Sequence, residues 1–177
     1  MHMKIQIIGY SGSGKSTLAH RLGEIANLPV LHMDATFYYG DWQERTADEQ
    51  SRIVRDFLHA NDSWVIDGNY TNIVTERYAI TDMTIFMDFP KWRCFWAAYR
   101  RSRKYRGIPR PDLPCGEKFD RSFRRWLLID GRTKARRARL IANLNATSGR
   151  KVILKNRKQV EQFVEQFAQE FGSGNAK

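Results

Sequence analysis

Cysteine, acidic side chains and long apolar runs are all scarce in this chain of 177 residues. Its two cysteines, Cys94 and Cys115, are too few for a disulfide framework or a four-cysteine zinc site. No apolar run approaches the roughly 18 residues that a membrane-spanning helix needs. The chain enters its first apolar segment at Met3, so we expect no secretory signal peptide. These features predict a reduced, cytoplasmic setting with no membrane partner.

The shortage of acidic residues is confined to one part of the chain. Between Lys91 and Arg139 there are 17 Lys and Arg residues against four Asp and Glu, whereas the remainder carries a slight acidic excess. A segment of this kind is compatible with a solvated basic helix face, a clamp for phosphate groups or a nucleic-acid-binding patch. Composition leaves these three interpretations open.

A complete phosphate-binding motif, G-x-x-x-x-G-K-[ST], lies at Gly9–Ser16. It follows a short apolar run and precedes a helical pattern, which is the context that the motif requires. Glycines allow the backbone to turn its N–H groups toward phosphate oxygens. In this motif the lysine reaches the β- and γ-phosphates, and the final hydroxyl ligates Mg²⁺. The predicted ATP contacts in this loop are Gly9, Ser11, Gly12, Ser13, Gly14, Lys15, Ser16 and Thr17.

Short apolar segments alternate with helical patterns along the whole chain. The strands are predicted over 4–8, 29–33, 64–67, 83–89 and 151–155. The helices are predicted over 16–26, 46–59, 90–106, 118–143 and 158–170, the second of them opened by a Thr46–Glu49 capping box. Strands without polar alternation are typical of a parallel sheet that is covered on both faces. The pattern therefore predicts one α/β domain over 1–177.

Ligands of such sheets bind beyond the carboxyl ends of the strands, where three aspartates occur. Asp67 follows an apolar run and is a candidate for holding Mg²⁺, although Asp-Gly is also a common turn pair. Asp88 precedes Phe89-Pro90, and we expect it to cap the helix that starts there. Asp34 is compatible with binding an acceptor hydroxyl, joining the metal shell or beginning a turn.

The region of about 34–60 is the candidate acceptor-binding region. It opens with an aromatic stretch from Phe37 to Trp42 that could stack on a base, line an acceptor pocket or pack as a flap. From this stretch we single out Tyr38 as an acceptor contact. Arg45 lies just beyond it and is compatible with an acceptor phosphate or with an ordinary surface position.

The basic segment contains a candidate lid over about 100–125. Arg100, Arg101 and Arg103 end one helix, and a proline-rich stretch separates them from further arginines. Guanidinium groups bind phosphate oxygens bidentately, and a closing lid excludes water from phosphoryl transfer. We therefore predict that arginines of this lid act on the migrating phosphoryl group, and the residues alone leave open which of them point inward.

Four segments, GYSGSGKST, WVIDGNY, TIFMDFP and YRG-x-x-RPD, resemble the bacterial DNA topology modulation protein family. That family in turn looks like the adenylate-kinase-type P-loop kinases. The resemblance implies a three-layer fold whose five parallel strands have the order 2-3-1-4-5. It also implies that Asp67 takes the Mg²⁺-associated position, beside the Ser16 hydroxyl of the motif, and that Arg100, Arg101 or Arg103 reaches the phosphates. The loop with Asn156 and Arg157, after the fifth strand, would pack on the donor adenine.

The chain departs from adenylate kinases after its third strand. They carry Gly-Phe-Pro-Arg-Thr where this chain has Asp67-Gly68-Asn69-Tyr70-Thr71. The acceptor-side arginine of that segment has no match, and Arg77 is only a loose replacement. We assign Asn69 to the acceptor side, where it stands in the altered segment.

The sequence thus predicts an ATP- and Mg²⁺-dependent kinase, with Lys15, Asp67 and the lid arginines as catalytic residues and a nucleoside monophosphate or similar small molecule as acceptor. A nucleotide-regulated DNA-binding protein is the alternative, based on the basic segment. An NTP hydrolase coupled to a partner is a third interpretation.

Overall fold

The computed structural model describes residues 2–39, 42–70, 72–106, 108, 112–113, 115, 117 and 119–171. Its strands are β1 (Lys4–Gly9), β2 (Val30–His32), β3 (Trp64–Asp67), β4 (Met83–Met87) and β5 (Arg150–Leu154). Its α-helices are α1 (Lys15–Ala26), α2 (Met33–Phe37), α3 (Ala47–Ala60), α4 (Lys91–Lys104), α5 (Arg121–Leu128), α6 (Lys134–Ala146) and α7 (Arg157–Phe171). Two 3-10 helices cover Thr75–Tyr78 and Asp130–Arg132. Much of the predicted lid, including Pro109, Arg110 and Pro111, lies outside the described residues.

The five strands form one parallel sheet in the order β2-β3-β1-β4-β5. This confirms the predicted strand order and the three-layer α/β fold. The central strands β3 and β4 are buried at every residue, as expected where helices cover both faces of a sheet. The edge strand β5 is largely exposed. The carboxyl ends of all strands therefore point to one side, where the connecting loops gather.

The main core joins the sheet to the packed pair α1 and α7, and it also includes Leu140 and Leu144 of α6. Helix α7 buries Val160, Phe163, Val164 and Phe167, which share one helical face. A smaller cluster around Trp64 and Val54 packs α3 on the other end of the sheet. None of the described helices has both the length and the apolar character to cross a membrane.

The helix predicted over 118–143 is wrong, because the structure breaks it into three pieces. Asp120 accepts a hydrogen bond from the Phe123 N–H (2.8 Å) and caps α5, and Thr133 caps α6 in the same way through Arg136 N–H (3.3 Å). Between the caps the chain makes a 3-10 turn that includes Gly131. A Cβ at Gly131 would lie 2.7 Å from the Trp126 carbonyl oxygen, so this turn packs tightly under α5.

Asp88 does not cap α4. The helix starts behind Pro90 without any side-chain cap, and Asp88 Oδ2 instead accepts a hydrogen bond from Arg137 Nη2 at 2.9 Å. The prediction was wrong because it weighed only local neighbours, whereas the ion pair joins residues 49 positions apart. It ties α6 to the end of β4.

The predicted capping box at α3 is confirmed and extends to the aromatic region before it. Glu49 Oε2 accepts from the Thr46 N–H at 2.9 Å, while Glu49 N–H donates to Thr46 Oγ1 at 3.3 Å. Tyr39 Oη donates to the second carboxylate oxygen at 2.5 Å. The hydrogen bonds from Tyr39 and Thr46 lower the pKa of Glu49 to about 2.

This network predicts a pH-dependent contribution of Glu49 to stability. The folded pKa lies below the unfolded value of 4.5, so the stabilisation is complete above that value and is lost as pH falls toward about 2. In urea unfolding, Glu49→Gln should lower the midpoint most near neutral pH, and the difference from the parent protein should shrink as the solution is acidified. Asp48→Asn removes a charge from the same helical turn and serves as the control. A difference for Glu49→Gln that stays constant with pH would contradict this assignment.

Candidate active site

The motif Gly9–Ser16 folds into a tight loop between β1 and α1, at the carboxyl end of the sheet. Gly12 (φ +79°) and Gly14 (φ +96°) occupy the left-handed region that favours glycine. A Cβ at Gly12 would lie 2.4 Å from the Cys94 carbonyl oxygen, so α4 also forbids a side chain there. Helix α1 begins at Lys15 with no side-chain cap. Its first N–H groups and positive dipole end are therefore available to an anion.

The loop forms the floor of a cleft of about 1110 Å³. Described residues of α1, α2, α4 and α5 line it, so the cleft reaches from the phosphate-binding loop to both the acceptor region and the lid. Residues of the sequence prediction that line it are Ser11, Gly12, Gly14, Lys15, Ser16, Thr17, Asp34, Tyr38, Arg100, Arg101 and Arg157.

Lys15 points into this cleft from the first turn of α1. Its Nζ donates a hydrogen bond to the Tyr10 carbonyl oxygen at 3.1 Å. Burial lowers the pKa of the ammonium group, whereas the charges of Asp34 and Asp67 act in the opposite direction. The Lys15 ammonium group thus contacts the loop and interacts with the charges of two carboxylates. In this position it is available to bind a phosphate in the cleft.

Asp67 is the buried carboxylate at the end of β3, with only 4% of its surface exposed. Its Oδ2 accepts a hydrogen bond from Ser16 Oγ at 2.9 Å. Its Oδ1 lies 2.5 Å from His32 Nδ1 at the end of β2. Burial alone would lower the pKa of His32, but the hydrogen bond and charge of Asp67 outweigh burial and raise it. The sequence prediction did not include His32. His32 is the last residue of β2, and Asp34, two positions later, was chosen as a site residue because it follows the same strand.

The pair Ser16 and Asp67 fits Mg²⁺ in its chemistry. A hydroxyl and a carboxylate oxygen 2.9 Å apart are the hard donors that this ion uses when phosphates and water complete its shell. Among the described residues, no group of three or more His, Cys, Asp or Glu could hold a metal ion by itself. This donor set suits an ion that arrives with a nucleotide.

Asn69 supports the loop from below, which differs from the acceptor contact that we expected. Its Oδ1 accepts from the Gly9 N–H at 2.9 Å, and its Nδ2 donates to the Gly9 carbonyl oxygen at 2.6 Å. One side-chain amide therefore satisfies both backbone groups of the first glycine of the motif. Asn69 is not among the described residues that line the cleft.

Arg77 is fully buried and is not an acceptor-side arginine. Its guanidinium donates to Gln6 Oε1 at 3.1 Å and to the carbonyl oxygens of Ile73, Val74 and Tyr70, the last at 2.7 Å. Burial lowers the pKa of Arg77. Arg77 therefore does not replace the acceptor-side arginine of adenylate kinases. Its hydrogen bonds instead stabilise the loop after β3.

Tyr70, to which the sequence analysis gave no role, joins that loop to Asp34. Tyr70 Oη donates to Asp34 Oδ1 at 2.9 Å, and its ring packs on Phe37 with 5.0 Å between centroids. Burial and then the charge of Asp34 raise the pKa of Tyr70. Tyr38 and Trp42 pack edge to face at 5.1 Å beside this pair. These residues form an aromatic wall around the Asp34 carboxylate.

Arg45 lies behind the aromatic wall and does not line the described cleft. Its Nη1 donates to the carbonyl oxygens of Ala35, Thr36 and Tyr38 at 2.5–3.1 Å. The guanidinium also stacks on the Tyr39 ring, 4.3 Å from its centre. Arg45 thus closes the turn after α2, and its contact with an acceptor phosphate stays a prediction.

The three lid arginines separate into two groups. Arg100 and Arg101 line the cleft, and Arg101 Nε forms an ion pair with Glu117 Oε1 at 2.7 Å. Arg103 lies on the exposed side of α4, where its Nη1 donates to Tyr99 Oη at 3.2 Å. The expected phosphoryl contact of Arg103 is therefore not supported by its position.

The loop after β5 likewise contributes one of its two predicted residues. The Arg157 guanidinium lies over the phosphate-binding loop, since a Cβ at Gly14 would be 3.2 Å from Arg157 Nη1. Asn156 instead accepts a hydrogen bond from the Gln159 N–H at 3.0 Å and caps α7. Asn156 is outside the set of described cleft residues.

Arg132, one of the arginines that follow the proline-rich stretch, joins the 3-10 helix Asp130–Arg132 to the phosphate-binding loop. Its guanidinium stacks on the Tyr10 ring at 3.6 Å, and its Nη1 donates to the Phe89 carbonyl oxygen at 2.7 Å. Two elements far apart in sequence thus meet at the phosphate-binding loop.

Comparisons with known proteins identify the fold. No protein-family model and no curated protein sequence matches the chain. Among solved structures, it is similar to shikimate kinase from Acinetobacter baumannii (TM-score 0.60, 13% identity, 100% of this chain and 97% of that chain). It is also similar to shikimate kinase from Bacteroides thetaiotaomicron (0.51, 19%, 96% and 98%) and gluconokinase from Sinorhizobium meliloti (0.52, 14%, 97% and 92%). The chain has the P-loop kinase fold. The resemblance to the topology modulation family stays an expectation from the sequence.

Asn69→Ala tests whether the amide clamp shapes the loop for a nucleotide. Loss of both bonds to Gly9 should weaken binding of a fluorescent ADP analogue by roughly tenfold, the equivalent of about one net hydrogen bond. Asn72→Ala, an exposed asparagine of the same loop, is the matched control. Equal dissociation constants for the two variants would show that the clamp does not shape the nucleotide site.

Proposed function

We propose that this protein transfers a phosphoryl group from ATP, with Mg²⁺, to a hydroxyl group of a small acceptor molecule. The observation that carries the proposal is the convergence of Lys15, Ser16 and Asp67 beneath a cleft lined by Arg100 and Arg101. Phosphoryl transfer needs a cradle, a metal and positive charge more than it needs a covalent nucleophile. The residues of this cleft, with Asp67 beneath it, would supply all three.

The donor side follows from the loop and the residues around it. The uncapped N-terminus of α1 and Lys15 would hold the phosphates, and Ser16 and Asp67 would hold Mg²⁺, which supplies charge neutralisation when bound. Arg157 lies over the loop and would act from the opposite wall. Arg100 and Arg101 would stabilise charge on the migrating group when the lid is in place.

The acceptor side favours a hydroxyl compound over a nucleoside monophosphate. Asp34 is exposed to the cleft, and one of its oxygens is oriented by Tyr70. It would accept the proton of an acceptor hydroxyl. Arg45 and Arg77, the two arginines considered for an acceptor phosphate, spend their guanidinium groups on main-chain carbonyl oxygens. The similar structures named shikimate kinase and gluconokinase support a small-molecule acceptor of this kind.

An acceptor screen with Lys15→Ala tests the proposal. The protein is mixed with ATP·Mg²⁺ and a panel of sugars, sugar acids, cyclic polyols, amino alcohols, nucleosides and nucleoside monophosphates, and ADP formation is measured. We expect acceptor-dependent ADP formation that falls by about 10²- to 10³-fold in Lys15→Ala, because a preorganised charge on the phosphates is lost. Lys151→Ala, on the exposed strand β5, is the control. Tight ATP binding without transfer to any acceptor would overturn the proposal.

The two groups of lid arginines give a second test. Arg100→Ala and Arg101→Ala should each lower turnover by about 10²-fold or more, whereas Arg103→Ala should stay within about twofold of the parent enzyme. The three variants remove the same charge from one helix, so they serve as controls for each other. An Arg103→Ala defect as large as that of Arg101→Ala would show that position relative to the cleft does not decide the role.

A further inference from the structure

Helix α4 presents large aromatic side chains on the face opposite its core contact. Cys94 and Ala98 are buried, and Ala97 and Arg101 line the cleft. On the remaining face, Trp92 and Trp96 are 58% and 56% exposed. Indole side chains this exposed are costly to solvate and are enriched where a partner binds.

The exposed rings are fixed in place by neighbouring aromatic rings. Phe95 contacts Trp92 at 6.1 Å and Trp96 at 5.8 Å, and Trp96 contacts Tyr99 at 5.8 Å, all edge to face. Phe119 anchors the row at 5.4 Å from Phe95. A partner that covers a ring face therefore meets side chains that already pack on neighbouring rings, and such packing reduces the entropic cost of binding.

Cations lie directly among these rings. Lys91 Nζ lies 5.7 Å from the centre of the Trp92 ring, and Arg103 Nη1 donates to Tyr99 Oη. Helix α4 has six Lys and Arg residues and no Asp or Glu. We call the set Lys91, Trp92, Arg93, Trp96, Tyr99 and Arg103 the α4 outer face.

Charge and geometry decide among the partners that could cover this face. A second copy would bring two cationic faces together, which like-charge repulsion disfavours. A membrane-surface helix segregates its cations from its apolar stripe, whereas here a lysine lies over an exposed indole. Duplex nucleic acid offers phosphates but no free base faces for the rings. A single strand offers both phosphates and base faces.

We propose that the α4 outer face binds single-stranded nucleic acid, with bases stacked on Trp92 and Trp96 and phosphates held by Lys91, Arg93 and Arg103. This surface is separate from the cleft, whose α4 residues are Ala97, Arg100, Arg101 and Lys104. The proposal does not depend on the phosphoryl-transfer function.

The test compares two paired variants that keep apolar bulk but differ in the ring. Binding of labelled oligothymidylate and oligouridylate of about 16 nucleotides is measured by fluorescence anisotropy at low salt. Trp92→Leu/Trp96→Leu should weaken binding at least tenfold, because stacking contributes about 5- to 150-fold per base, whereas Trp92→Phe/Trp96→Phe should retain most of the affinity. Ile80→Ala changes an exposed apolar residue before β4 and is the control for nonspecific hydrophobic binding. Binding of the ADP analogue should be unchanged in both pairs, which shows that they are folded.

Charge contacts are tested separately. In Arg93→Gln and Arg103→Gln, the slope of log affinity against log salt should fall by about 0.7 for each lost phosphate contact. Affinity for a duplex of equal length should be weaker than for the single strand.

Four outcomes would overturn the proposal. The first is no oligonucleotide binding by the parent protein. The second is equal binding by the parent protein, the leucine pair and the phenylalanine pair, which would indicate charge attraction alone. The third is binding to anionic phosphatidylserine vesicles but not to oligonucleotides. The fourth is a dimer in sedimentation that the leucine pair retains and the Arg103→Gln variant strengthens, which would make the face a self-association surface.

Discussion

The parallel register of β2, β3 and β1 is the constraint on which the rest of the site depends. It pairs Asp67 with Ile7 on one side and with His32 on the other, so the carboxylate lies directly beside the start of the phosphate-binding loop. A buried carboxylate is costly unless its oxygens are hydrogen-bonded. Ser16 and His32 satisfy one oxygen each, and the sheet register brings both within reach. A shift of one residue would turn Asp67 to the opposite face and leave the loop without its carboxylate.

A second network, made of polar side chains, connects the phosphate-binding loop to the acceptor side of the cleft. Asn69 holds Gly9, and Gln6 Nε2 donates to the Gly68 carbonyl oxygen at 3.3 Å. Arg77 in turn binds Gln6 and the Tyr70 carbonyl oxygen, while Tyr70 orients Asp34. The buried Arg77 guanidinium donates its hydrogen bonds to neutral oxygens rather than to a carboxylate. Removing any one of these partners would leave a buried N–H group without an acceptor. The segment after β3 therefore shapes both ends of the cleft through a single cation.

Features that rest on local chemistry were predictable from the sequence. The loop Gly9–Ser16, the apolar strands and the Thr46–Glu49 box each need only neighbouring residues, and the structure contains all three. Two of the errors concern side chains whose partners are distant in sequence. Asp88 pairs with Arg137 rather than with its own helix, and Asn69 turns 60 positions back to Gly9. His32 could have been predicted, because it lies at the carboxyl end of β2, where the rule for parallel sheets selected Asp34. No local sequence pattern indicates the hydrogen bond from Tyr70 to Asp34.

The basic segment shows why a count of charges does not assign a function. Fold topology divides its cations among different environments. Arg100 and Arg101 face the cleft, Arg137 neutralises Asp88, and Arg132 stacks on Tyr10. Because Asp88 offsets the charge of Arg137, and the cleft rather than the outer surface holds Arg100 and Arg101, the net excess overstates what a polyanion on the outer surface would meet. What distinguishes the α4 outer face is therefore the pair of exposed indoles among its cations. Positive charge attracts any anion, whereas an exposed ring can stack on the bases of a single strand but not on the paired and stacked bases of a duplex.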